Sequence, residues 1–244
     1  MQVTHIPLER AIGMLAMIKD FKNLSASDLS AIAQVCHWHR YDAGEAIVRY
    51  QDESDSVFFI IHGKVRINYN ALSGKEVILG DLSLGEIFGE LTAIDGKHRS
   101  ASVIAQDNTL LASVSATDFL NQIYSNQQVA AAILLRLAGQ IRELTRRVIE
   151  SDTLKVPTRI CSKLVHLAES QKTVGDNQAS ITTELTHAEI ACLIGTNREA
   201  VTKQLNILED QHVIMRERDT IRILDWPKLL QMAGSAPSHA NHLQ

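Results

Sequence analysis

Hydrophobic and polar positions fall into three textures along the chain. From about Cys36 to Val114 the apolar residues come in short β-rich runs, Ser56–Ile61, Val65–Tyr69, Glu76–Leu79 and Ala101–Ala105, broken by Gly, Asp, Asn and Ser. Turns are expected at His62-Gly63-Lys64 and at Leu72-Ser73-Gly74-Lys75. Many short strands with regular turn signals predict a sandwich or small barrel. Ahead of them, Ser25-Ala26-Ser27-Asp28 has the form of a capping box that opens a short helix through about Val35.

From Ala116 to about Leu154 the period becomes helical, first in a short piece and then in a long one. Leu134, Leu137, Ile141, Leu144 and Val148 recur at alternating steps of three and four, a heptad seam flanked by Arg136, Arg142, Arg146 and Arg147. The seam predicts a dimer interface. A helix packed on its own domain would show a similar stripe, but this helix is long and its other faces are polar.

A third texture follows Val156-Pro157. Proline suits the first turn of a new helix, so a boundary is expected near 152–157. Next come a helix from about Thr158 to Ser170, a polar loop from Gln171 to Ser180, two short helices, and a hairpin of Val213–Met215 with Ile221–Leu224. The tail Ala233–Gln244 is small and polar, which predicts disorder.

Composition narrows the class. The 45% hydrophobic and 21% charged content is that of a soluble protein, and no apolar run approaches the roughly 20 residues that span a bilayer. The start lacks a basic leader and the apolar patch Ala11–Ile18 is short, which argues against a secretory signal. Cys36, Cys161 and Cys192 are far apart and odd in number, as expected of reduced thiols in a cytoplasm and not of a zinc or disulfide site. Net charge is −4, and residues 1–125 carry 10 basic against 15 acidic side chains while residues 155–244 carry 10 of each. Any DNA contact must therefore rest on placed side chains, because there is no general basic field.

Two segments carry chemistry. Thr186 to Val201 has helix-turn-helix logic: Thr186 with Glu189 as a capping box, Ala191 small where a second helix approaches, Gly195 for a positive φ, and Thr196 or Asn197 as the next cap. Val201, Leu205 and Leu208 at helical spacing predict the inner face. Arg198, Glu199, Thr202 and Lys203 are left outward, toward the end of a recognition helix that meets base edges. In Leu84 to Ala101, Gly89 opens a short helical stretch whose free N–H groups favour an anion, Arg99 offers a fork matched to phosphate, and Ser100 adds a hydroxyl. Glu90 beside a phosphate site makes sense if the same ligand carries a sugar hydroxyl.

Gly195-Thr196-Asn197-Arg198-Glu199-Ala200-Val201, followed by Leu205-Asn206-Ile207-Leu208-Glu209-Asp210, resembles the Crp–Fnr family of transcription regulators and its cyclic-AMP-receptor branch. Gly89-Glu90-Leu91, a spacer and Arg99-Ser100-Ala101 resemble that family's phosphate-binding cassette. The resemblance covers about residues 20–230. It implies an α+β chain: a cyclic-nucleotide-binding β-roll (double-stranded β-helix) over 1–125, a dimerisation helix over 126–154, a winged helix-turn-helix over 155–232, and the tail 233–244. It implies that Glu90 holds the ribose, that Arg99 and Ser100 hold the cyclic phosphate, and that Thr145 reaches the base across the dimer. Leu144 stands where the branch has a second polar contact, and Ser100 leaves cyclic GMP open beside cyclic AMP. In the family the Arg-Glu pair and an arginine four residues after it read a TGTGA-like operator. Here these are Arg198, Glu199 and Lys203, and the lysine replaces a planar fork by a point charge. The implied partners are double-stranded DNA, a second copy of the chain and RNA polymerase, with no enzymatic activity, no metal and no membrane.

Other classes fit less of the chain. An iron–sulfur sensor would need an N-terminal cysteine cluster, and Cys36 stands alone in that half. A haem sensor could draw on His5, His37, His39, His62 or His98. A β-roll metalloenzyme would need two histidines and a carboxylate with open positions, which His37 and His39 plus an acid could imitate. Neither accounts for the cassette and the helix-turn-helix.

Overall fold

The computed structural model of the chain describes residues 2–3, 5–70, 76–171, 177–182, 186–218 and 220–234. The expected turn at Leu72–Lys75 and the tail beyond Gly234 lie outside the described residues. The chain divides into two compact units, Met1–Ile141 and Arg142–Gln244. Among the described residues no helix is long and apolar enough to cross a membrane.

The first unit begins with strand β1 (Gln2–Val3), helix α1 (Leu8–Leu15), a 3-10 turn at Lys19–Phe21 and helix α2 (Ala26–Gln34). The expected capping box is formed: Ser25 accepts from the Asp28 backbone and Asp28 accepts from the Ser25 backbone. Then follow β2 (His37–Tyr41), β3 (Ala46–Val48), β4 (Val57–His62), β5 (Lys64–Asn70), β6 (Glu76–Ser83), β7 (Ile87–Phe88), α3 (Glu90–Asp95), β8 (Ser102–Ala105) and β9 (Thr109–Val114). They form a five-stranded sheet in the order β1-β2-β9-β4-β7 and a four-stranded sheet in the order β3-β8-β5-β6. Phe58 and Ile60 of β4 and Leu111 of β9 join Val65, Val103 and Ala105 in the core between the sheets. Their alternate neighbours Val57, Phe59, Ile61, Ala112 and Val114 point the other way, into a second core under the helices. Strand β4 is thus buried on both faces, which explains its unbroken apolar run.

Two helices follow, α4 (Ala116–Ser125) and α5 (Gln127–Thr153). Val129 and Ile133 of α5 are buried in the helical core of the first unit. Most of the expected seam is open: Leu134 is 67% exposed, Ile141 64%, and Leu144 and Val148 are exposed with Leu135 and Ile149. Leu137 departs from that expectation. It packs partly buried against the core of its own unit, because it lies one turn after Ile133 and shares that face.

The second unit holds α6 (Val156–Ser170), β10 (Ala179–Thr182), α7 (His187–Ile194), α8 (Arg198–Asp210), β11 (Ile214–Arg216), β12 (Thr220–Ile223) and α9 (Trp226–Met232). Pro157 occupies the first turn of α6, as expected. The expected hairpin is β11–β12, but its sheet has a third strand, in the order β10-β12-β11. The end of the polar loop read over Gln171–Ser180 is therefore a strand start, with Ala179 opposite Ile223 and Ile181 opposite Ile221. Only two alternating apolar residues mark it, too few to read as a strand without its partner. Ala233 is buried in this unit's core and is not the start of a loose tail. Leu205, fully buried at the centre of that core, gives a direct test. Leu205→Ala should destabilise the second unit by about 2–5 kcal/mol, read as a lowered denaturation midpoint for that unit with the first unit's transition unmoved.

Candidate ligand-binding and DNA-binding sites

The cassette residues converge around a buried arginine. Arg99 is 2% exposed, so it is part of a wall. Its Nε donates to Ser54 Oγ at 3.1 Å, Nη1 to the Gly89 carbonyl at 3.0 Å and Nη2 to the Ser56 carbonyl at 2.7 Å. The guanidinium also lies 5.8 Å from the centre of the Phe58 ring. Among the described residues three of the five N–H donors of a guanidinium are thus used, which leaves one on each Nη. Burial pushes Arg99 below its usual pKa, opposed by Asp55, Asp52 and Glu90. An anion brought to those two donors would compensate the desolvated charge.

Gly89 is required by two features of this geometry. Its φ is +84°, a left-handed conformation, at the cap of α3. A Cβ there would also stand 2.7 Å from Arg99 Nη1 and 2.8 Å from the Ser56 carbonyl. Glu90, the first residue of α3, is 3% exposed. Gln140 Nε2 donates to its Oε1 at 3.1 Å, and Arg136 Nε lies 3.6 Å from the same oxygen. Among the described residues its Oε2 takes no hydrogen bond.

These groups line a cavity of about 140 Å³. Gly89, Glu90, Leu91, Arg99, Ser100 and Ala101 all border it, with Val48, Ile67 and Val103 supplying an apolar side. Ser100 is exposed at the rim and Ala101 is buried. Thr145 is not among the lining residues and belongs to the second unit. Arg136 and Gln140 do line the cavity, and sequence reasoning missed both as site residues. Their spacing of four puts them on one helix face, but only the packing of that face on the cassette gives it meaning.

In the second unit the helix-turn-helix is built as expected. Thr186 and Glu189 form a full capping box, Gly195 ends α7 at φ +70°, and Asn197, not Thr196, caps α8 by accepting from the Ala200 N–H at 2.8 Å. Val201, Leu205 and Leu208 are fully buried and Ala191 nearly so. Arg198, Glu199 and Lys203 are exposed and border one open groove with Thr202, Asn206 and Ile207. Thr202 is only half outward. Its hydroxyl donates to the Arg198 carbonyl at 3.0 Å and faces His187 Nδ1 at 2.9 Å, so that proton is committed within the module. Burial first, then Arg216 and Arg198, push the His187 pKa down. Arg216 of β11 grips α8 through Glu209 Oε2 at 2.8 Å and Asn206 Oδ1 at 2.7 Å, fixing the hairpin to the helix. Among the described residues no group of three or more His, Cys, Asp or Glu side chains is arranged to hold a metal ion.

The family model of the cyclic nucleotide-binding domain matches residues 38–126, and that of the Crp-like helix-turn-helix domain matches residues 158–232. A Pseudomonas aeruginosa relative, the cAMP-activated global transcriptional regulator Vfr, is 30% identical over 183 residues, 73% of this chain and 85% of its own length. The chain belongs to the Crp–Fnr family. The Pasteurella multocida cAMP-activated global transcriptional regulator CRP is 29% identical over 187 residues, covering 76% of this chain and 89% of its own. A solved CooA variant from Carboxydothermus hydrogenoformans shares the fold, with a TM-score of 0.73 over 95% of this chain and 98% of its own at 20% identity. This Crp–Fnr chain therefore pairs a cyclic-nucleotide-binding domain with a DNA-binding helix-turn-helix.

Because Arg99 is a wall residue, Arg99→Ala should do more than remove a ligand contact. It leaves the part-buried Gly89 and Ser56 carbonyls without this donor, at up to about 1–3 kcal/mol each. The first unit of the ligand-free variant should melt several degrees lower; an unchanged melting temperature would contradict the anchoring described.

Proposed function

We propose that the protein is a cyclic-AMP-responsive transcription regulator, active as a homodimer in the cytoplasm, with no catalytic function. It binds an inverted-repeat operator with TGTGA-like half-sites and acts there together with RNA polymerase. The observation that carries the ligand reading is the pairing, at one cavity, of two Arg99 donors with Glu90 Oε2, all three uncommitted among the described residues. A phosphate alone would be repelled by the acid; a cyclic phosphate joined to a ribose uses both. At about 140 Å³ the cavity suits the sugar-phosphate and leaves the base outside it, where Thr145 is proposed to meet it. The cAMP-activated relatives from Pasteurella multocida and Pseudomonas aeruginosa support adenine. Cyclic GMP is the second reading, because Ser100 stands exposed at the rim and Leu144 offers the base no polar group.

The exposed apolar stripe on α5, Leu134, Ile141, Leu144 and Val148, supports a dimer seam with Thr145 beside it. Nucleotide held by the roll would bias the dimer toward the state whose recognition helices stand one DNA turn apart. On those helices Arg198 suits guanine, Glu199 suits cytosine N4, and Lys203 a third position.

Calorimetric titration with cyclic AMP, cyclic GMP and cyclic di-GMP tests the ligand reading. Cyclic AMP should bind tightest, with cyclic GMP next, and Thr145→Ala should weaken the preferred nucleotide more than the other. Binding of none, or of cyclic di-GMP alone, would refute it. Selection from randomised duplexes tests the operator. Wild type should enrich an inverted repeat with centres about 34 Å apart, and Arg198→Ala should lose about 1–3 kcal/mol at one guanine. Lys203→Arg should sharpen the inner position, and Ile141→Asp should reduce enrichment to a single half-site.

A further inference from the structure

Arg136 is the most heavily constrained charged side chain near the cavity that the nucleotide reading leaves unused. It comes from α5, its side chain is 12% exposed, and three groups hold it. Nη1 meets Asp20 Oδ2 at 3.2 Å, in the 3-10 turn of Lys19–Phe21; Nη2 donates to the Ile87 carbonyl, next to the cassette; and Nε faces Glu90 Oε1 at 3.6 Å. That Nε is buried and, among the described residues, completes no hydrogen bond. A buried cationic donor left without a hydrogen-bond partner 3.6 Å from a carboxylate oxygen is close enough to act on that carboxylate electrostatically.

Both partners of Glu90 address the same oxygen. Gln140 Nε2 donates to Oε1, and Arg136 Nε lies 3.6 Å from Oε1. The last torsion of a glutamate is broad and nearly two-fold, so an unguided carboxylate would turn within the cavity. Donors gathered at one oxygen fix the orientation of the carboxylate plane. The other oxygen, Oε2, has no donor among the described residues, on a side chain that lines the cavity.

We propose that Arg136 is a positioning residue that, with Gln140, orients Glu90 toward a sugar hydroxyl and so makes the site select ribose over deoxyribose. Asp20 and the Ile87 carbonyl hold the guanidinium at that angle, which places part of the selectivity in the N-terminal turn, outside the cassette. The proposal rests on the reading that the cavity takes a cyclic nucleotide through Glu90.

The test is calorimetric titration of the full chain with cyclic AMP and with 2′-deoxy-cyclic AMP. Wild type should prefer the ribose form by about tenfold or more, the effect of one hydrogen bond to a charged acceptor. Arg136→Gln should shrink that preference to about threefold or less, by losing affinity for cyclic AMP far more than for its deoxy analogue. Arg136→Lys, which keeps the charge without the fork, should lose most of the preference as well. Glu90→Gln should abolish it, and Arg136→Gln added to that background should change the ratio no further. Asp20→Asn, which leaves the cavity lining intact, should reduce the preference part-way, and it carries the test if Arg136→Gln fails to fold. If Arg136→Gln weakens both ligands equally and keeps the wild-type ratio, Arg136 is a structural residue and the proposal falls alone. If wild type binds neither nucleotide, or both equally, the reading of Glu90 falls and takes the proposal with it.

Discussion

The first unit depends on one buried guanidinium. Arg99 reaches back across the roll to two backbone carbonyls, Gly89 at the start of α3 and Ser56 just ahead of β4. Those bonds join the cassette helix, the strand β4 that both cores share, and the loop that carries Arg99. The backbone of that loop is pinned to the same region, with Arg99 N–H donating to the Asp52 carbonyl and Gln51 N–H to the Arg99 carbonyl. Gly89 follows from this arrangement, since a side chain there would stand where Arg99 Nη1 must be. A charge buried without a full counter-ion is costly, and here it is held by dipoles and by distant carboxylates. That arrangement would be compensated further by an anion brought to the cavity.

The second unit works on the opposite principle. Its recognition face is built by removal: Val201, Leu205 and Leu208 are taken into the core, and what is left outward is what can touch DNA. Two caps and one left-handed glycine set the angle of α8. Local hydrogen bonds then trim the outward set. Thr202 is partly withdrawn by Arg198 and His187, and Asn206 has its carbonyl oxygen taken by Arg216. The exposed charged groups of this face are thereby concentrated in Arg198, Glu199 and Lys203, in a unit with no net basic excess.

Much of this was legible in the chain because it is local. Capping boxes at Ser25–Asp28 and Thr186–Glu189, the cap and turn around Gly195, the first-turn Pro157 and the inner face of α8 depend on neighbours within a few residues, and the structure forms them as read. The cassette was legible for a related reason: Gly89, Glu90, Arg99 and Ser100 lie in one short stretch whose chemistry is complementary to one ligand. Strand β10 was not legible, since two alternating apolar residues have meaning only beside β12.

What the sequence by itself determined is the type of most elements, the division into a β-rich domain, a long helix and a helix-turn-helix, and the candidate polar groups of the cassette and of the outer face of α8. The tertiary structure alone decided which face of α5 meets the cassette, and with it two outcomes that helical periodicity could not separate. Leu137 turns into the core while Leu134 and Ile141 stay out, and Arg136 leaves the flank of a seam to sit beside Glu90. The physical reason is common to both. A helix pattern fixes the angles between its side chains but not the rotation of the helix about its own axis, and that rotation is set by contacts with residues far away in the chain.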